Sequence, residues 1–233
     1  MRNNNPTLEV FSRLVGPAVR AGFRGAYDQV KINPDKYLRH VRRVYRLPIQ
    51  NWQDIHRLDV DMLAVPAQKI IASSAKTAAL EGMGLGMGGL TTLLPDMSIL
   101  SAITIRMLQK LSLVYGFEYS TEEEAAAFWI AAASAAGLDL ARNFLEKQAI
   151  ERVVPRIIDQ IAIKAGAEIA EKWIGRLVPL LSVGVAGTLN YYFVRSWGLR
   201  AQRHFLARHQ SLRDQPISQH LRLRSSTPAV ESL

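Results

Sequence analysis

The chain has no cysteine. That removes disulfides, thiolate metal ligands and cysteine nucleophiles together, and it fits a life in a reducing compartment. Runs of alternating β-branched residues are also missing, so no sheet is expected. Acids are outnumbered, 20 against 29 Lys and Arg, and the formal charge of +9 favours an anionic partner. Glu9, Arg13, Arg20 and Arg24 interrupt the apolar residues near the start. That pattern lacks the core of a secretory signal, so export by that route is not expected.

Catalytic signatures are equally scarce. G-x-S-x-G does not occur, and no two of His40, His56, His204, His209 and His220 have the i, i+4 spacing of a helical zinc site. No catalytic residue, metal or cofactor is therefore assigned. Glu122, Glu123 and Glu124 read as acids complementing a helix dipole rather than as acid/base catalysts.

What remains is helical and apolar. Hydrophobic residues make up 48% of 233, enough for a substantial core. The expected fold is all-α, a compact multi-helix bundle with a Gly-rich helix crossing or turn and a disordered tail over residues 211–233. Asn33-Pro34-Asp35 predicts a capped start for "KYLRHVRRVYRL", with Pro48 ending the helix. A second helix is expected from Asp61 to Glu81, bent or restarted near Pro66. Asp96 reads as the cap of a third, whose stripe is Leu100, Ile103, Met107, Leu111 and Val114. Gly116 is placed to end it in the left-handed conformation. Ser120 to Glu124 offers two overlapping capping boxes.

The stretch "GMGLGMGGLTTLLPD", Gly82 to Asp96, contains G-x-G-x-x-G. A dinucleotide site needs a preceding strand, and a P-loop needs a following lysine; neither is present. Gly82 and Gly86, like Gly84 and Gly88, are four apart, which instead suits close approach of a neighbouring helix. Gly82 to Ile105 carries only Asp96 as a charge, and Leu177 to Val194 carries none over 18 residues. Both lengths fit buried core helices as well as shallow membrane insertion. Asp96 and Asn190 are the buried polar residues expected within them, Asn190 tying two helices together.

Arg39, Arg42, Arg43 and Arg46 fall at i, i+3, i+4 and i+7, one helical stripe, near Tyr37 and Tyr45. A later helix adds Arg195, Arg200, Arg203 and Arg208 beside Tyr191, Tyr192, Phe193 and Trp197. Basic residues with aromatics beside an apolar stretch suit an anionic membrane surface. Nucleic acid ranks below it, because no recognised DNA or RNA module accompanies the charge.

A glycine-rich apolar segment leading into Pro95-Asp96, then Arg106 and Tyr115-Gly116, is followed much later by Val178-Pro179, Gly184, Gly187, Asn190 and a trailing basic helix. This order resembles the EcsC family of bacterial proteins over roughly residues 60 to 210. The resemblance implies a helical, membrane-associated protein, of a family named after a gene found beside an ABC transporter and without an agreed activity. The expectation is thus a non-enzymatic, EcsC-type accessory protein, cytoplasmic and peripheral to the inner membrane. Its partners would be an anionic membrane surface and a transporter or other membrane protein. A helical protein binding lipid or another apolar ligand is the alternative, and an enzyme the third. The expected layout is basic amphipathic helices over 1–58, an EcsC-like domain over 59–210 packed with them, and the tail; the oligomeric state is not encoded in any recognisable pattern.

Overall fold

The computed structural model describes residues 31–85, 93–138, 150–174 and 183–213, together with 17, 21–23 and 25–27 of the segment before them. All regular structure among these residues is helical. Of the expected tail, residues 211–213 are helical instead and 214–233 lie outside the described residues, as do Arg13, Arg20, Arg24, Gly86 and Gly88.

α1 runs Pro34–Tyr45, with the Asn33 side chain accepting from the Lys36 N–H at 2.9 Å and proline in the first turn. It stops before Pro48: Arg46 takes the left-handed conformation, φ 52°, and ends the helix itself. α2, Trp52–Ile55, is one turn held by a capping box between Asn51 and Asp54. α3, Val60–Leu85, runs through Pro66 without a break.

α4 spans Leu93–Val114. Asp96 therefore lies within the helix and not at the cap position expected for it. The single apolar stripe expected of α4 is also too narrow. Ile105, Leu108, Gln109 and Leu113 are as buried as Leu100, Met107, Leu111 and Val114. Only Arg106 reaches full exposure between 99 and 114. A helix apolar nearly all round belongs at a bundle's centre.

Gly116 closes α4 with φ 86°: Phe117 N–H donates to Ser112 C=O at 2.9 Å and Gly116 N–H to Leu113 C=O at 3.1 Å. This is the Schellman arrangement, which needs a left-handed residue where only glycine is unstrained. α5, Glu122–Ala135, opens on Thr121, whose hydroxyl accepts from Glu124 N–H while the Glu124 carboxylate accepts from Thr121 and Ser120 N–H. Of the two boxes legible in the sequence, Thr121 with Glu124 is the one formed. α6 is Ile150–Ile174 and α7 Val183–Arg213.

α3 and α7 make the most extensive helix pair, with α4 packed on both, α5 on α6 and α7, and α1 on α4. They run antiparallel. A Cβ on Gly82 would lie 2.6 Å from Asn190 Nδ2, one on Gly187 2.6 Å from Ala79 O, and one on Gly198 2.8 Å from Ile71 Cγ1. Gly187 and Gly82 thus let two backbones approach where any side chain would collide. The segment before residue 31 enters the same core, since Phe23 is buried against Trp197 with ring centroids 5.7 Å apart.

Candidate functional site

The four arginines of the first stripe lie where the spacing placed them. α1 buries Tyr37, Leu38 and Val41. Arg39, Arg42, Arg43 and Arg46 are exposed. Lys36, Arg39, His40, Arg42 and Arg43 line a shallow depression of about 510 Å³. Among the described residues, no carboxylate forms an ion pair with any of these arginines. Val44 is 51% exposed between Arg43 and Arg46, an apolar side chain inside a cationic surface. Lys69 of α3 stands 5.7 Å from the Tyr45 ring centroid and extends the positive charge beyond α1.

The arginines of α7 do not form one face. Arg195 and Arg203 are exposed and line a depression of about 330 Å³ with Tyr192 and Leu199. Arg200 turns inward. Its Nη2 pairs with Glu168 of α6 at 3.2 Å, its Nε donates to the Ala135 carbonyl at the end of α5, and Trp197 Nε1–H donates to the same Glu168 at 3.1 Å. It is a three-helix tie, while the side chain stays 27% exposed and lines the same depression as Arg195 and Arg203. The sequence holds no signal for this pairing, because residues 168 and 200 sit on different helices.

Arg208 turns inward at the other end of α7. Its guanidinium lies over Phe117, 4.4 Å from the ring centroid. There α2, the Gly116 turn and the end of α7 converge on a cleft of about 240 Å³, lined by Trp52, His56, Phe117, Glu118, Phe128 and Arg208 among others. His56 lies directly over Gly116, where a Cβ would stand 2.8 Å from its Cε1. Behind it, buried His209 stacks on His56 at 6.0 Å between centroids and spans the carbonyls of Tyr115 and Leu58, each 3.3 Å from a ring nitrogen. Burial, reinforced by His209 and Arg208, holds the His56 imidazole below its ordinary range. Burial raises the Glu118 carboxyl, with Glu124 and Asp35 adding to the effect. Spacing along the chain could not find this cleft: His56 and His209 are brought together only by the α3–α7 pairing.

Of the glycines, Gly82 is in close contact with α7, whereas a Cβ on Gly84 meets nothing within 4 Å among the described residues. Among the described residues, then, Gly82 and not Gly84 makes the contact with α7. Gly86 and Gly88 lie outside the described residues, and so does the Asp96 side chain. Asn190 is buried, 2% exposed, at the α3–α7 contact. Among the described residues no three His, Asp or Glu side chains are grouped to hold a metal ion, and no helix is long and apolar enough to cross a membrane.

The profile of the EcsC protein family matches residues 9–209. The chain is also similar to Protein EcsC of Bacillus subtilis (strain 168), with 40% identity over 58 residues, 25% of this chain and 25% of that relative. The match thus spans about a quarter of the relative's length. No solved structure matches. The family match starts well before residue 60, where the motifs of the resemblance begin, and takes in α1 and the segment ahead of it.

Proposed function

The chain belongs to the EcsC protein family, and on that footing we propose that it is a non-enzymatic accessory protein that docks peripherally on an anionic membrane surface through α1, beside a transporter or other membrane protein. The observation that supports this reading is the exposed face of Arg39, Arg42, Arg43 and Arg46, unpaired among the described residues and carrying Val44. Arginine meets lipid phosphate with paired donors, and an exposed aliphatic side chain beside it adds shallow insertion. Arg195 and Arg203, with exposed Tyr192 and Leu199, supply a second and smaller contact of the same chemistry.

Vesicle co-sedimentation tests it. Binding is expected to phosphatidylserine-containing vesicles and not to neutral ones, with steep salt dependence. Each basic residue at such a surface contributes about 1 kcal/mol, so Arg39→Gln/Arg42→Gln/Arg43→Gln together should weaken binding by about 100-fold. Because all three side chains are exposed, the melting temperature should stay where it was. Equal binding to neutral vesicles, or full binding by the triple variant, would remove the reading.

A further inference from the structure

The cleft between α2, the Gly116 turn and the end of α7 has polar groups without a partner among the described residues. Trp52 Nε1 is buried and without a hydrogen-bond partner among the described residues, whereas the His56 ring lies against the Gly116 backbone. Native proteins rarely leave such groups unsatisfied, and each costs free energy until something accepts from it or donates to it. Arg208 sits on the same cleft, over Phe117. Among the described residues, no acceptor bonds to its guanidinium. The nearby carboxylates do not fill that role. Glu124 is engaged by the backbone N–H groups of Ser120 and Thr121. Glu118 forms no ion pair with Arg208 among the described residues.

We propose that this cleft binds a small monoanion, its carboxylate or phosphodiester group against Arg208 and its apolar body against the rings of Trp52, Phe117 and Phe128. The charged lining is Arg208 with Glu118 and Glu124, so one negative charge, held locally by Arg208 while Glu124 is engaged by the Ser120 and Thr121 N–H groups, is the most the wall accommodates. The lowered proton affinity of His56 keeps that ring neutral near pH 7 and adds no second cation. A dianion would meet Glu118 and Glu124 uncompensated. The volume of about 240 Å³ is below that of drug-sized pockets, so the ligand is small or is the headgroup of a larger molecule. The inference stands apart from vesicle docking, which uses α1.

Tryptophan indole resonances report it directly, since the chain has only four tryptophans and Trp52→Phe identifies the one in question. The protein labelled with ¹⁵N-tryptophan is titrated with benzoate, with monomeric dihexanoyl phosphatidylglycerol, and with benzyl alcohol as the neutral comparison. A saturable shift of the Trp52 indole with benzoate assigns a soluble carboxylate, and one with the phosphatidylglycerol alone assigns a lipid headgroup. Arg208→Gln should weaken either response about tenfold or more, because a charge-assisted hydrogen bond is lost. Arg208→Lys keeps a cation above Phe117 without the paired donors and should fall between. The α1 triple variant should respond like the unaltered protein, so loss of vesicle binding and loss of cleft binding are read separately. If neither anion shifts the Trp52 indole saturably, or benzyl alcohol does so equally, or Arg208→Gln responds undiminished, the proposal fails.

Discussion

At the scale of single residues, the imidazole of His56 is altered by its surroundings with a consequence near neutral pH. Burial first, then His209 and Arg208, lower its proton affinity from the ordinary value of 6.5, and burial with Arg208 nearby does the same for His204. An unfolded chain releases both rings, so it binds protons at a pH where the folded chain does not. The stability these rings contribute is therefore present above about pH 6.5 and is lost as the pH falls through their folded values. Glu118 works in the opposite sense: its carboxyl, raised by burial from 4.5, lowers stability as the pH climbs above that value. The urea midpoint should fall between about pH 7 and pH 5, and His56→Gln should flatten that fall. A midpoint constant across this range, or a slope unchanged in His56→Gln, would contradict the assignment.

At the scale of elements, the glycines of α3 and α7 are not equivalent, although the sequence writes them alike. On Gly187 a Cβ would stand 2.6 Å from both the Ala79 carbonyl oxygen and Met83 Cγ, and the first is backbone that cannot swing aside. On Gly84 it would meet none of the described residues within 4 Å. Gly187→Val is expected to destabilise the protein by about 1–3 kcal/mol or more, through overpacking at the α3–α7 contact. Gly84→Ala should be neutral or stabilising by up to about 1 kcal/mol, since it only removes the conformational freedom of glycine from a helix. Thermal melts of the two variants decide this; equal losses would mean that α3 is not held against α7 as described.

At the scale of the whole molecule, charge and burial are separated. The arginines of α1 stay outside, while Arg200 and Arg208 are drawn into contacts with Glu168 and Phe117. The apolar mass is inside, where Trp129, Trp197, Tyr115, Tyr119 and Phe205 are all but fully buried. No helix among the described residues is long and apolar enough to cross a membrane. Attachment through a cationic surface breaks when salt screens the charge and carbonate opens the membranes, whereas a spanning helix stays in lipid. Carbonate washing of native membranes should therefore release the protein into the supernatant. Retention in the pellet would point to insertion by segments outside the described residues and would shift the reading from surface docking to integration.

The sequence by itself determined whatever depends on neighbours along the chain. The Asn33 and Thr121 caps, the Gly116 stop and the exposed arginine stripe of α1 are all local, because helix period and terminal N–H and C=O groups act within a few residues. It was also enough for the helical class and, through ordered motifs, for the family. Tertiary structure alone decided which side of each helix meets another. α4 proved central rather than one-faced, Gly82 packs on α7 while Gly84 meets none of the described residues, and Arg200 and Arg208 turn partly inward. The cleft belongs to this second group, because Trp52, His56, Phe117 and Arg208 come from elements joined only when α7 runs back along α3. Periodicity tells a helix how much of itself to bury; which atoms lie opposite is set by the crossing of two backbones, and no spacing within either helix encodes it.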